Sequence, residues 1–342
     1  MDFELSDDQQ ALRDAARDLL DDHASPVRVR AVVDQKATHD AELWKAMGEQ
    51  GWQVLEQPEA AGGLDLGFVE VAVLLEELGR HAAPVPYAST VLALAALRGT
   101  PWEDRLANGA VGAVAWHDAD DGAERLLVPY APIADVAVVV DADGIVVHDL
   151  TSGDRPDPEP AMDVTRCLGW LPTDRPGATR LDAGASAVAT LIDRGAVATA
   201  AESLGGASAV LDMTVEHAKT RVQFGQPIGS FQAVKHRCAD MLVDVEGMRS
   251  TTYHAAWSLA ANDPDASVAA STAKTWSGDA ARRVMASGLQ VHGGIGFTWE
   301  HDLHLHLKRA QLESVTFGTS SAHRRRLAAL LRSKVESGAS IV

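Results

Sequence analysis

Hydrophobic residues recur at helical spacing near the start of the chain and predict an amphipathic helix there. Ser6 and Gln9 fit a capping box, in which each side chain satisfies a backbone N–H that the first helical turn leaves unpaired. Leu12, Ala16 and Leu19 then follow at steps of three or four residues. The chain is therefore expected to open with a helical region.

Three further helices are predicted before residue 100. One passes through residues 43–47, and a strongly apolar run over residues 69–78 predicts the next, with Gly79 as its C-cap. Two prolines interrupt the following stretch, and helical spacing resumes over residues 90–97. The alternation of apolar faces and breaks assigns residues 1–109 to an N-terminal helical domain.

The pattern changes at about residue 109, where short runs of β-branched residues are separated by Asp/Gly turns. Such runs are typical of strands. Strands are expected over residues 111–116, 126–128, 136–140, 145–148 and 179–181. We therefore predict a small middle β domain over residues 110–183.

Long helical periodicity returns after residue 184 and predicts a C-terminal bundle. Its helices are expected at about 186–220, 231–261, 266–289 and 319–335, with a shorter one at about 300–312. Long amphipathic helices with short connections favour an up-down four-helix bundle over residues 184–342. The expected fold class is therefore mainly α with a small β domain.

Composition narrows the possible partners and compartment. The 342 residues carry a formal net charge of −18, which disfavours nucleic acid and anionic membranes as partners. The two cysteines are too few for a disulfide framework, and the acidic start lacks the basic-then-apolar pattern of a secretory signal. No run of about 18 apolar residues is present. A cytoplasmic protein is expected.

Two motifs in the C-terminal region combine an arginine, an aromatic ring and glycines. The first, R-V-Q-F-G-Q-P-I-G-S-F-Q, spans residues 221–232, and the second, Q-V-H-G-G-I-G-F-T-W-E-H, spans residues 290–301. An arginine suits bidentate contact with phosphate, and glycines let backbone N–H groups approach an anion. With these motifs in this order, behind helices and a small β domain, the chain resembles the acyl-CoA dehydrogenases over nearly its whole length.

This resemblance implies a set of residues that contact FAD held mainly by a neighbouring subunit. Each also has a purely structural interpretation, because the arginine could offset a helix dipole and the glycines could form a helix stop. Taken jointly, the pattern favours the flavin. The implied cofactor-binding residues are Arg221, Phe224, Gln232, Gln290, Gly293 and Gly294.

The catalytic base of the family is missing from this sequence. In residues 314–321, S-V-T-F-G-T-S-S, Phe317 stands where the resemblance places the Glu that removes a proton, and a phenyl ring cannot do so. A second base position known in relatives falls near Gly195; Asp193 and Glu202 are the nearest carboxylates. Residues 113–122 also lack the family's T-E-P…G-S-D segment. We therefore expect no catalytic residue in this chain.

We expect structural rather than catalytic roles for the histidines discussed below and for the basic run near the C-terminus. The spacing of three nearby histidines does not place them all on one helix face: His301, His304 and His306. We therefore expect them to be polar residues of a surface or an interface and not the ligands of a metal. His292 is expected to shape the glycine turn. The basic run at residues 323–326 is interpreted as a solvated or intersubunit face, with contact to CoA phosphate as a weaker option.

The resemblance is closest to the short non-catalytic chains of heterotetrameric (α2β2) steroid-CoA dehydrogenases of actinobacteria. It implies a homologous partner chain that supplies the catalytic Glu and most of the acyl-CoA site, and an electron-transfer acceptor is a further possible partner. Two alternatives stay open. One is a self-sufficient homotetramer that uses Asp193 or Glu202 as base, and the other is a flavin-free scaffold.

Overall fold

The computed structural model describes residues 4–116, 124–141, 144–150 and 155–338 of the chain. Within these residues the N-terminal region carries six helices, α1 to α6, and the C-terminal region carries five, α7 to α11. In chain order they are α1 Asp7–His23, α2 Pro26–Asp34, α3 Ala41–Glu49, α4 Phe68–Arg80, α5 Tyr87–Ala96, α6 Glu103–Ala107, α7 Ala185–Thr220, α8 Gln232–Ala260, α9 Ala266–His292, α10 Leu303–Glu313 and α11 Ser320–Glu336.

The strands lie between these two helical regions, apart from one short hairpin. They are β1 Gly112–Trp116, β2 Arg125–Pro129, β3 Val136–Asp141, β4 Gly144–Asp149, β5 Pro158–Glu159, β6 Leu168–Pro172, β7 Thr179–Arg180, and the hairpin pair β8 Val222–Gln223 and β9 Gln226–Pro227. The predicted class, mainly α with a small β domain, is confirmed. The predicted domain boundaries remain a prediction.

The predicted capping box at the first helix is present. Ser6 Oγ accepts from the Gln9 N–H at 3.2 Å, and the Gln9 side chain accepts from the Ser6 N–H at 3.0 Å. Ala16 and Leu20 then face the core of the N-terminal region. The cap and the apolar spacing therefore act together, since one satisfies the helix end and the other fixes its buried face.

Helices α4 and α7 cross with their backbones in contact. A Cβ built on Gly79 would lie 2.0 Å from the carbonyl oxygen of Glu202, and one built on Gly205 would lie 1.8 Å from that of Glu76. The prediction of Gly79 as a C-cap is wrong, because α4 continues to Arg80 and the glycine serves this close approach. The crossing fixes where Glu202 enters the interior.

The middle region holds two sheets rather than one continuous sheet. One has the strand order β1-β3-β4-β7, in which β1 and β3 are parallel, and the other has the order β2-β6-β5. Residues 136–140 are buried on both faces, which explains their unbroken run of apolar side chains. Strands β5 and β6 were not predicted, because Gly169 and the flanking prolines conceal the short pattern.

Helices α7, α8, α9 and α11 form the predicted bundle, and α10 packs against α7 and α9. The core between α7, α8 and α9 includes Leu204, Val210, Met241, Met248 and Val284. Across the described ranges, none of the helices combines the length and apolar character needed to cross a membrane.

Candidate functional site

The turn between α10 and α11 carries Phe317, which the resemblance places at the position of the catalytic base. Phe317 has a φ of +54° and is only 7% exposed. Its ring stacks on Trp116 at the end of β1, with 6.4 Å between ring centroids and 25° between planes. The Nε2–H of His323 donates to the Phe317 carbonyl at 2.8 Å, and burial lowers the pKa of His323 to about 4, so this donor is held as a neutral imidazole.

Phe317 also occupies the space beside the second base position. A Cβ built on Gly195 would lie 2.3 Å from both Cδ1 and Cε1 of the Phe317 ring. Residue 195 must therefore be glycine while residue 317 is phenylalanine, because the ring lies directly on the helix backbone. The structure places the two positions in contact, and neither carries a group that can accept a proton.

The nearby carboxylates proposed as relocated bases are both paired with arginine. Asp193 is buried, is paired with Arg326 of α11, and accepts a hydrogen bond from Ser267 Oγ at 2.5 Å. Glu202 Oε2 lies 2.7 Å from Nη2 of Arg166, and these two side chains are 6% and 8% exposed. Breaking such a buried pair would leave an unpaired buried charge, which costs about 3–5 kcal/mol.

A third carboxylate, Glu313, joins this buried pair and was not singled out in the sequence. Its Oε1 lies 3.3 Å from Arg166 Nη2, and its Oε2 accepts from Ser203 Oγ at 2.7 Å. Burial, followed by the nearby charge of Glu202, raises the pKa of Glu313 to about 7. Burial likewise lowers the pKa of Lys274 to about 7, and its Nζ donates to the Glu313 carbonyl at 2.5 Å.

The same loop that supplies Arg166 is held by a second buried arginine. Arg309 of α10 donates to Thr165 Oγ1 at 2.7 Å and to the carbonyl of Ala83 at 3.0 Å, and its Nε lies 3.7 Å from Asp163 Oδ2. The loop before β6 is thus fixed to both helical regions. Without knowledge of their long-range contacts, these residues resemble ordinary surface charges, and no local pattern in the sequence distinguishes them.

The space around this charge network is too small for an acyl group. The cavity measures about 40 Å³, and Arg166, Glu202, Glu313, Thr199 and Phe317 are among its lining residues. That volume suits a few water molecules, whereas pockets for organic ligands measure about 300–1,000 Å³. The interior behind Phe317 is therefore filled by paired charges.

A larger groove of about 430 Å³ opens on the other side of Phe317. It lies between β1, β2 and the α10–α11 turn, and its walls are largely apolar. Thr319, which also lines this groove, is the N-cap of α11 and accepts from the Ala322 N–H at 3.2 Å. The segment at 113–122 that lacks the family motif is described only as far as Trp116; residues 117–122 lie outside the described part.

The first motif forms an exposed hairpin between α7 and α8. Arg221 ends α7, and within the described residues its guanidinium has no ion-pair partner. Phe224, at a φ of +51°, is 92% exposed. Phe231, next to Gln232 at the start of α8, contacts the Phe224 ring edge-on at 6.1 Å. Among the described residues, the hairpin thus presents an exposed arginine without an ion-pair partner and a largely exposed aromatic ring.

The second motif lies at the C-terminal end of α9. Gln290 is exposed, and the helix ends at His292 before Gly293, whose φ is +64° and whose ψ is −140°. A Cβ built on Gly293 or Gly294 would meet nothing within 4 Å. Gly293 is explained by its backbone conformation, but packing inside the chain does not require Gly294, so its open backbone is free to meet another molecule.

Stacked imidazoles bring the two motifs together. His217, one turn before Arg221, stacks on His292, one residue before Gly293, with 4.5 Å between centroids. The arginine and the glycine turn therefore lie at neighbouring helix ends on one face. A cation next to unobstructed backbone amides suits a phosphate-bearing group. Assignment of the six implied residues to a cofactor stays a prediction.

The histidine and arginine interpretations need correction. His304 and His306 are buried rather than on the surface of this chain, and burial lowers the pKa of His306 to about 3. His304 stacks on Trp299 at 4.4 Å. In the basic run, His323 and Arg326 point inward to bind Phe317 and Asp193. Among the described residues, no cluster of three or more His, Cys, Asp or Glu could hold a metal ion.

Helices, two small sheets and a helical bundle follow one another in the order of an acyl-CoA dehydrogenase architecture. Residues 6–100 match the family model for the acyl-CoA dehydrogenase N-terminal domain, and residues 182–331 match the model for the C-terminal domain. The chain belongs to the acyl-CoA dehydrogenase family.

Its relatives include proteins named as acyl-CoA dehydrogenase IpdE2. The one from Mycolicibacterium smegmatis is 36% identical over 95% of this chain and 99% of its own length, and the one from Mycobacterium tuberculosis is 36% identical over 89% and 91%. The chain also resembles a solved Tcur3481-Tcur3483 steroid ACAD variant (TM-score 0.84, 30% identity, covering 96% and 99%). The ChsE4-ChsE5 complex from M. tuberculosis is similar too (TM-score 0.85, 27% identity, covering 97% and 99%).

Proposed function

We propose that this chain is the non-catalytic subunit of an FAD-dependent acyl-CoA dehydrogenase. The observation that supports the proposal is the contact between Phe317, at the base position that the resemblance implies, and Gly195, near the alternative one, because neither residue can take a proton. On this proposal a homologous partner chain supplies the catalytic Glu and most of the acyl-CoA site. The steroid side chain as substrate is supported by a similar solved structure named as a steroid ACAD.

The residues of the two motifs fit the proposed cofactor. Arg221 would hold the flavin pyrophosphate, and the N–H groups at Gly293 and Gly294 would approach the nucleotide without obstruction. Phe224 offers an apolar face, and the exposed amides of Gln232 and Gln290 can both donate and accept. FAD, when bound, supplies the acceptor for the hydride in α,β-desaturation of a CoA thioester. This chain's residues would bind and orient it across the interface.

The complex is proposed to be an α2β2 tetramer. In each unlike pair, one flavin site would combine this chain's exposed motifs with the partner's sheet wall and Glu. The reciprocal site would depend on the groove beside Trp116 and Phe317, where no base exists. That the similar ChsE4-ChsE5 structure is a complex of two chains supports a partner of the same family.

The two alternatives are less well supported. A self-sufficient enzyme would need Asp193 or Glu202, both buried, to leave its arginine partner and to reach a substrate, and only about 40 Å³ of space adjoins Glu202. A flavin-free scaffold would leave unexplained why an unpaired arginine and an open glycine turn lie together on the surface.

Purification of the chain alone and with its co-expressed partner separates the three functions. We expect flavin absorbance and acyl-CoA oxidation only in the co-purified complex. Flavin with turnover in the chain alone, abolished by Asp193→Asn or Glu202→Gln, would favour the self-sufficient enzyme. A complex that assembles without flavin would favour the scaffold.

A further inference from the structure

Three histidine rings, one pair stacked and the other edge to face, connect the two motifs to which the proposed function assigns the flavin, and together they are called the histidine stack. The rings of His217 and His292 lie 4.5 Å apart at an interplanar angle of 24°, and those of His292 and His301 lie 4.5 Å apart at 66°. His217 belongs to α7, His292 ends α9, and His301 precedes α10. One stack therefore joins three separate segments of the chain.

His292 and His301 stand at the two ends of one loop and close its base. The loop comprises residues 293–300 and includes Gly293 and Gly294. Its exposed apolar side chains are Ile295, Phe297 and Trp299. At its far end the loop is anchored by Trp299, which stacks on His304 and whose carbonyl accepts from Arg30 Nη1 at 2.6 Å, so the histidine pair is the contact that holds the end carrying the two glycines.

Hydrogen bonds fix the proton positions on two of the rings. His292 Nδ1 lies 2.8 Å from the Gly288 carbonyl, and because a carbonyl only accepts, Nδ1 carries the proton. His301 Nδ1 accepts from the Leu303 N–H at 3.1 Å, so a neutral His301 carries its proton on Nε2. His292 Nε2 is buried, and no partner for it exists within the described ranges. The backbone thus fixes which ring nitrogen of His292 donates and which ring nitrogen of a neutral His301 accepts.

The charges around the stack also favour neutral rings. Arg221 faces His217, while Arg30 and its ion-pair partner Asp302 face His301, with 2.6 Å between Arg30 Nε and Asp302 Oδ1. Burial, followed by the neighbouring histidines, lowers the pKa of His217; burial and then His292 lower that of His301. Protonation would place cations at 4.5 Å from one another and beside two arginines.

We propose that His217, His292 and His301 form a positioning bracket that sets the separation of Arg221 and the Gly293–Gly294 turn, and thereby how tightly the complex holds the flavin. This inference rests on the proposed function. The bracket acts through Arg221 and the backbone of the turn, so its three members are positioning residues. Neutral rings keep the bracket closed, and charged rings open it by repulsion.

The test is the flavin dissociation constant of the co-purified complex, measured by flavin fluorescence, with circular dichroism to verify folding. His217→Ala removes a ring and should raise this constant about tenfold, as loss of one aromatic contact implies. His217→Phe keeps a stacking ring that cannot be protonated, and should stay near wild type at pH 8. His148→Phe is the matched control, because His148 is buried in β4, away from both motifs, and burial lowers its pKa too.

The pH profile separates a bracket from a plain structural contact. The pKa of His217 and of His301 is lowered in the folded chain, so their neutral rings stabilise the closed bracket. This stabilisation is complete above the ordinary histidine pKa of about 6.5 and is lost as the pH falls below that value. Flavin affinity should fall on acidification in wild type and in His148→Phe, and fall less in His217→Phe. Affinity that rises on acidification would mean that an imidazolium binds the phosphate, which overturns the bracket.

The outcomes also distinguish this inference from the proposed function. A wild-type complex without flavin overturns both. Loss of flavin in Arg221→Ala together with unchanged affinity and pH profile in both His217 variants leaves the proposed function standing and overturns the bracket. If His217→Ala fails to assemble, the pH profile of His217→Phe against wild type decides the inference.

Discussion

Replacing Gly195 by alanine should drive a methyl group into the ring of Phe317, at a cost that follows from the structure. The added Cβ would lie 2.3 Å from two ring carbons, far inside the 3.5–4.0 Å or so that carbon atoms prefer. The ring is held by its stacking on Trp116 and is largely buried, so the added methyl must displace it toward the neighbouring groove at the expense of that contact. Overpacking of this kind costs about 1–3 kcal/mol, against a gain of about 1 kcal/mol from placing alanine in a helix.

A double-mutant cycle isolates this contact. Phe317→Ala alone should cost about 3–5 kcal/mol through the cavity that it leaves. In the double variant Gly195→Ala/Phe317→Ala the clash disappears, so the two changes should be non-additive by about 1–3 kcal/mol, with the pair more stable than the sum predicts. The measurement is the free energy of unfolding from urea titrations followed by circular dichroism.

Gly206→Ala on the same helix is the matched control. A Cβ there would find its nearest neighbours at 3.6 Å, an ordinary contact, so this variant should be as stable as wild type or more so. Additivity of the Gly195 and Phe317 changes to within about 0.5 kcal/mol would refute the argument that the ring occupies the second base position.

Three further predictions concern charges. Arg221→Ala should weaken flavin binding by the complex by about 2–5 kcal/mol without unfolding the chain. The control Arg332→Ala, which also changes an exposed arginine, should leave flavin binding unchanged. Equal flavin content in the two variants would show that Arg221 does not contact the flavin. Arg166→Met should lower the free energy of unfolding by about 3–5 kcal/mol, because two buried carboxylates lose their partner. The control Arg283→Met removes an exposed ion pair and should cost at most about 1 kcal/mol. Equal losses in the two variants would contradict the importance of the buried charges. Because the pKa of Glu313 is raised in the folded chain, its contribution to stability is complete below pH 4.5 and is lost as the pH rises through about 7. In urea titrations across that pH range, wild type should lose up to about 3 kcal/mol of unfolding free energy relative to Glu313→Gln. A difference that does not change with pH would contradict this prediction.

The helices of this fold could be predicted because each buries one apolar face, and that face leaves a period in the sequence. The five C-terminal helices lie within a few residues of their predicted bounds. Gly79 shows the limit of this reasoning: a glycine near the end of an apolar run reads as a cap, yet the structure uses it to bring two helix backbones together. A close approach between distant segments leaves no local pattern.

Some features of the candidate site could likewise be predicted from local sequence patterns, and others could not. Phe317 could be recognised because a motif surrounds it, but its contact with Gly195 joins residues 122 positions apart and required the structure. The pairing of Arg166 with Glu202 and Glu313 could not be predicted either, because the sequence specifies the charge of a residue but not its partner in the fold. The histidine stack joins three segments, and only the nearness of His292 to the glycine turn was visible beforehand.

Native mass spectrometry of the co-purified complex, combined with flavin quantitation, tests the central claim most directly. On the proposed function, the exposed motifs of this chain serve one flavin site, and Phe317 against Gly195 leaves the reciprocal site without a base. We therefore expect an α2β2 tetramer that carries two FAD per four chains. Four FAD per tetramer, or a stable flavin-loaded homotetramer of this chain, would contradict it.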